Sequence, residues 1–169
     1  MRPKSLKPRR ASLKPRNGSR ESQWTHDVRD AVDVYGPRRA VRDVCATLGF
    51  SSEHGHELAI VVSELTSNIL KYGVRGSIRF EQVDSLEYGP GLLIVARDVG
   101  PPFRDLELAL RDGYDDRGPI DPGTLLARAG IGAGLGAVVR LTDSFEVVAL
   151  TPVGKEVRVV RYRKRPKRR

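Results

Sequence analysis

The two ends of this chain carry charge of one sign and almost nothing apolar, so whatever folds must fold between them. Residues 1–20 hold eight Lys or Arg and no acid, and residues 158–169 hold another eight, again with no acid. The 14 basic residues in between face all 21 acidic ones, a net charge of −7 inside a 169-residue sequence that is formally +9. A high isoelectric point therefore describes the ends and says little about what the folded part binds. Residues 1–20, and within the C-terminal run only residues 163–169, are too poor in apolar groups to offset their ordering entropy by burial. Residues 1–22 are expected to form a disordered basic tail and 163–169 a second one, with a single domain over 23–162.

Several classes of protein drop out early. One cysteine, Cys45, allows neither an internal disulfide nor a cysteine cluster for zinc. The spacing Val41, Val44, Cys45, Leu48 sets its thiol on an apolar helical stripe, which suits a core residue better than a nucleophile. No apolar run approaches the roughly 18 residues of a membrane span. The N-terminal charges are not followed by a hydrophobic stretch, so a secretory signal is not expected and a cytoplasmic setting is.

Between the tails the pattern supports definite elements. Val28 to Tyr35 alternates loosely and reads as an opening strand. Gly36-Pro37 opens a helix that runs to about Leu48, where Gly49 stops it. Ser51-Ser52 caps a second helix, with Leu58, Val62, Leu65, Ile69 and Tyr72 in one angular band and Gly73 at its end. Ser77 to Val83 and Leu92 to Asp98 read as a strand pair across the turn-rich stretch Asp84–Gly91. Residues 99–134 form a long loop rich in Gly, Pro and Asp, with one helical piece near Leu106–Arg111. A helix over Leu135–Leu141 and strands over Phe145–Leu150 and Val157–Tyr162 complete the order. The fold class is α/β in segregated layers, an α+β two-layer sandwich with a mixed sheet covered on one face by helices.

Three places break the packing logic. Glu64 and Asn68 sit one turn apart, about 80–100° off the centre of their helix's apolar stripe. A carboxylate and a carboxamide stacked there suit magnesium, although by themselves they fit an ordinary solvated flank better. Asp98-Val99-Gly100 ends a strand with a fixed acceptor beside a backbone that a flat ring can approach; a plain strand-ending turn also fits. Gly130-Ile131-Gly132-Ala133-Gly134-Leu135-Gly136 feeds into a helix and turns several N–H groups toward one point, which favours an anion over a flexible hinge.

In this order and spacing, Ser63-Glu64-Leu65…Asn68, Asp98-x-Gly100-Pro101 and Gly132-Ala133-Gly134-Leu135 resemble the ATP-binding domain shared by gyrase, a heat-shock chaperone, histidine kinases and MutL. Within it they are most similar to small bacterial serine kinases and anti-sigma factors, above all the switch kinase of the general stress response. The likeness spans about residues 27–162. It implies a Bergerat-type fold, ATP and Mg as cofactors, and phosphorylation of a serine or threonine on a STAS-type anti-sigma-factor antagonist. It further implies Glu64 as catalytic base, Asn68 as magnesium holder and Asp98 as reader of the adenine amino group. Gly100 would line the adenine pocket, and Gly132, Gly134, Leu135 and Gly136 would meet the phosphates. Lys71, about one turn past Asn68, reaches toward a phosphate or lies on solvated helix surface.

Three departures from that pattern stand out. Pro102 replaces a glycine at the start of the loop and removes a donor. The loop is longer and more acidic around Asp115-Asp116. Pro152-Val153-Gly154-Lys155 replaces a Gly-x-Gly-Thr turn, losing a hydroxyl at the base of the pocket. The alternatives are an anti-sigma factor that sequesters a sigma factor and a catalytically silent ATP-binding regulator. A sigma factor or a phosphatase would be further partners, and weak nucleic-acid contact by the tails stays open, without base readout. His54 and His56 lack a third metal ligand.

Overall fold

Ile78 and Phe80, then Leu92, Ile94 and Ala96, then Val157 and Val159 recur at every second position, and all seven side chains are buried. That period puts them on one face of three strands. In the computed structural model, which describes residues 14–15, 23–73, 75–111, 113–115, 118–119 and 134–164, this face meets the apolar sides of the helices. The strands are β1 (Lys14–Pro15), β2 (Gln23–Val28), β3 (Gly76–Ser85), β4 (Gly89–Asp98), β5 (Tyr114–Asp115), β6 (Gly118–Pro119), β7 (Ser144–Ala149) and β8 (Lys155–Tyr162). The helices are α1 (Tyr35–Thr47), α2 (Ser52–Tyr72), α3 (Leu106–Ala109) and α4 (Gly134–Leu141).

The main sheet runs β1-β3-β4-β8-β7, with β2 also on β3. Leu58, Val62, Leu65 and Ile69 of α2 lie at its centre, flanked by Val41 and Val44 of α1 and by Leu135 and Val138 of α4. The two-layer sandwich therefore stands. The sheet is not mixed, however: every ladder among the described strands is antiparallel. Short turns force that pairing on β3–β4 and β7–β8, and the segment containing α4 returns the chain so that β8 runs opposite to β4.

The opening strand also lies earlier than expected. It spans Gln23–Val28, and the stretch after it is a single 3₁₀ turn, Ala31–Val34, leading into α1. Two carboxylates decide this. Asp30 Oδ1 accepts from Val32 N–H at 2.9 Å, and Asp33 Oδ2 accepts from the N–H groups of Arg29 at 2.8 Å and Asp30 at 3.2 Å. Those donors are lost to a ladder and gained by a helix start. Within 1–22, Lys14–Pro15 pairs with Asp84 and Val83 of β3, and the remainder lies outside the described residues, as do 165–169. No described helix is long and apolar enough to cross a membrane.

Cys45 sits in the core at 1% exposure, and burial pushes its thiol up to about 12. The protonated form holds at neutral pH, which removes it as a nucleophile. At the N-terminal end of α2, Arg161 of β8 is buried and donates from Nη2 to Glu57 Oε2 at 2.8 Å, tying helix to sheet.

Candidate active site

Helix α2 begins where Ser51 Oγ accepts from His54 N–H at 3.2 Å, and it runs for 21 residues over the sheet. Burial extends well beyond its apolar stripe. Ser63 and Thr66 are buried, and their hydroxyls donate back to the carbonyls of Ala59 and Val62 at 2.9 and 2.8 Å, so they are satisfied within the helix. Glu64 is only 6% exposed, which overturns the solvated-flank alternative for that side chain. One turn on, Asn68 is half-buried, and its Nδ2 is sealed from solvent with no hydrogen-bond partner among the described residues. A buried amide end without a partner costs free energy that a ligand, an ion or an ordered water would offset.

Asp98 is the last residue of β4 and is 4% exposed. Its Oδ1 accepts from Gly100 N–H at 2.8 Å and from Lys155 Nζ at 3.0 Å. Lys155 stands directly opposite Asp98 in the β4–β8 ladder and is 2% exposed. Its Nζ also donates to Pro101 O at 2.9 Å and lies 5.1 Å from the centroid of the Phe103 ring. Phe103 in turn meets Tyr72 edge-on, with centroids 6.4 Å apart. The end of α2, the end of β4, the start of β8 and the root of the long loop thus converge on one carboxylate.

Two glycines make that convergence possible. A Cβ on Gly73 would stand 2.7 Å from Asp98 Cβ, and one on Gly100 would collide with the carbonyl oxygen of Tyr72. The missing side chain at Gly100 is therefore accounted for by the passage of α2's last turn. The sequence suggested approach of a flat ring instead, and the side of Gly100 where a Cβ would stand is filled by backbone.

The glycine run is only partly described. Gly132 and the Gly130–Ala133 stretch lie outside the described residues. Gly134 opens α4 with φ +63°, a left-handed conformation that suits glycine, and Gly136 is buried inside the helix. The Leu135 side chain belongs to the core, which leaves only its backbone N–H for a ligand. Lys71 is half-buried, and its Nζ donates to Tyr72 Oη at 3.2 Å and lies 5.1 Å from the centroid of that ring.

Lys155 is the residue whose part the sequence reading missed. It was recognised only as a lost threonine, yet a period-2 signal was present. Lys155, Val157, Val159 and Arg161 share one face of β8, and a cation on a core-facing stripe has to be paired. Open depressions of about 470 Å³ beside β2 and α1, and about 390 Å³ between α1 and α2, hold none of Glu64, Asn68 or Asp98. Buried charge marks this site.

Among the described residues no group of three His, Cys, Asp or Glu side chains could hold a metal ion. Magnesium bound with a nucleotide needs no such cage, because it keeps waters and takes phosphate oxygens with one or two protein groups. A partnerless Asn68 amide beside the buried Glu64 carboxylate fits that demand, given that the O and N of an amide are interchangeable by a flip. Residues 29–161 match the model of the histidine kinase-like ATPase domain. The chain belongs to that family. Along 130 residues it is 32% identical to the serine/threonine-protein kinase RsbT of Bacillus subtilis (strain 168), covering 77% of this chain and 89% of that protein. As a histidine kinase-like ATPase domain, it carries the buried carboxylates Glu64 and Asp98 on α2 and β4, whose ends approach each other closely at Gly73 and Gly100.

Proposed function

We propose that this chain is an ATP- and magnesium-dependent serine/threonine protein kinase acting on a STAS-type anti-sigma-factor antagonist in a partner-switching stress pathway. The observation that carries the proposal is the pair of buried carboxylates in unlike surroundings. Asp98 is clamped at one oxygen by Lys155 and Gly100, whereas Glu64 lies one helical turn from the Asn68 amide. The kinship with a protein named as a serine/threonine kinase supports the same choice.

In this account Asp98 Oδ2, the oxygen that neither clamp touches, accepts a hydrogen bond from the adenine amino group. Amides at the start of α4, from Gly134, Leu135 and Gly136, together with Gly132, donate to phosphate oxygens, where the helix dipole adds favourable potential. Asn68 would hold the magnesium through its carbonyl oxygen, and the ion would offset charge on the phosphates. Glu64 orients the substrate hydroxyl and takes its proton while that oxygen bonds to the γ-phosphorus and ADP departs with the bridging oxygen. Phosphoryl transfer is mostly positioning and charge stabilisation, so few protein groups suffice. Such a kinase works in the cytoplasm, with its ATP and its partner.

The test is direct. The full chain, incubated with γ-labelled ATP, magnesium and a STAS protein from the same genome, is expected to transfer label to a serine or threonine of that protein. Stable capture of a sigma factor with no label transferred would favour the anti-sigma alternative.

A further inference from the structure

We infer that Lys155 is a positioning residue for base recognition: it holds Asp98 so that a single carboxylate oxygen faces the nucleotide, and it thereby sets selectivity for a 6-amino purine. This rests on the nucleotide-binding part of the function proposed above, and on one feature of this chain alone. Both contacts to Asp98 fall on Oδ1, from Lys155 Nζ at 3.0 Å and Gly100 N–H at 2.8 Å, and neither touches Oδ2. A carboxylate fixed in this way cannot rotate to exchange its oxygens without breaking a charge-assisted hydrogen bond in a buried setting. Only an acceptor is left for the ligand. An exocyclic amine satisfies it, and a 6-oxo group, itself an acceptor, repels it.

Lys155 cannot read the base on its own account. An ammonium has three N–H donors. Two are engaged by Asp98 Oδ1 and Pro101 O, the ammonium lies 5.1 Å from the Phe103 ring centroid, and the residue is 2% exposed. It acts through Asp98, and through Pro101 and Phe103 it also fixes the root of the long loop at the same point. The hydroxyl expected at this position from family resemblance would supply a neutral contact; the lysine supplies a full charge directly across the ladder.

The experiment compares ATP with purine riboside triphosphate, which lacks the 6-amino group, by calorimetry on the full chain and on Lys155→Met. Wild type is expected to prefer ATP by about tenfold to a hundredfold, the range of a hydrogen bond to a charged group. Lys155→Met is expected to lower that preference to within about threefold while its affinity for purine riboside triphosphate changes little. Equal loss for both ligands would mean a merely structural lysine and would overturn the inference, as would an unchanged preference. Should Lys155→Met fail to fold, Lys155→Gln keeps a donor without the charge. Its preference should fall between those of wild type and unity, and a wild-type value contradicts the inference. A wild type that binds neither triphosphate removes the parent proposal instead, a result distinct from either of these.

Discussion

Replacing Asp98 by Asn is expected to cost this chain both its nucleotide and about 3–5 kcal/mol of folding stability, the cost of stranding one partner of a buried ion pair. Lys155, at 2% exposure, would face an amide that compensates an ammonium only partly. The two losses have different origins and can be separated. In Asp98→Asn/Lys155→Met both charges are gone, and well-packed neutral substitutes for a buried pair are often neutral or better in stability. The double variant should recover most of the wild-type midpoint in urea unfolding, yet calorimetry should still show ATP bound at least tenfold more weakly than by wild type. Recovery of nucleotide affinity along with stability would show that Asp98 reads no base. A single variant as stable as wild type would show that the Asp98–Lys155 contact contributes nothing to the fold.

The second large effect concerns the chemical step. Glu64→Gln keeps the size and most of the polarity of a side chain that is 6% exposed, so it avoids the cavity that Ala would leave. In the proposed mechanism it removes the group that takes the hydroxyl proton. Transfer to a protein substrate should fall by about a hundredfold to ten-thousandfold, with ATP affinity within about threefold of wild type. Loss of rate without loss of binding is the signature of an interaction made in the transition state. If Glu64→Gln transfers phosphate at the wild-type rate, the base lies elsewhere.

Most of the element order was legible in the residues. Ser51, Gly49 and Gly73 bound the two long helices because capping oxygens and stop signals act locally, and the Asp84–Gly91 turn follows from its composition in the same way. The opening strand was misplaced because Asp30 and Asp33 compete for backbone N–H groups, a choice that alternation between Val28 and Tyr35 cannot reveal. A mixed sheet was expected because strand direction depends on how segments return across the layer, which no single strand encodes.

At the candidate site, the angle of Glu64 and Asn68 on α2 and the place of Asp98 at the end of an apolar run each fit a bland reading as well; only the three motifs together, through the family resemblance, single these residues out. The burial of Glu64 could not be read from that angle. It comes from a helix covered on more sides than its apolar stripe implies, with Ser63 and Thr66 buried beside it. The role of Lys155 was hidden because its partner lies 57 positions away and meets it only when β4 and β8 pair. Gly100 was noticed for a sound reason, close approach, but what approaches it is the Tyr72 carbonyl.

In the proposed function α2, the end of β4 and the start of α4 enclose a magnesium nucleotide. Titration of ATP into the full-length wild-type chain by calorimetry, once with magnesium and once with EDTA, tests it most directly. Saturable one-to-one binding that weakens at least tenfold when the metal is withdrawn is the predicted result, about the share of affinity that one charge-assisted contact supplies. Absence of binding heat in both titrations, from a sample shown to be folded, would contradict it.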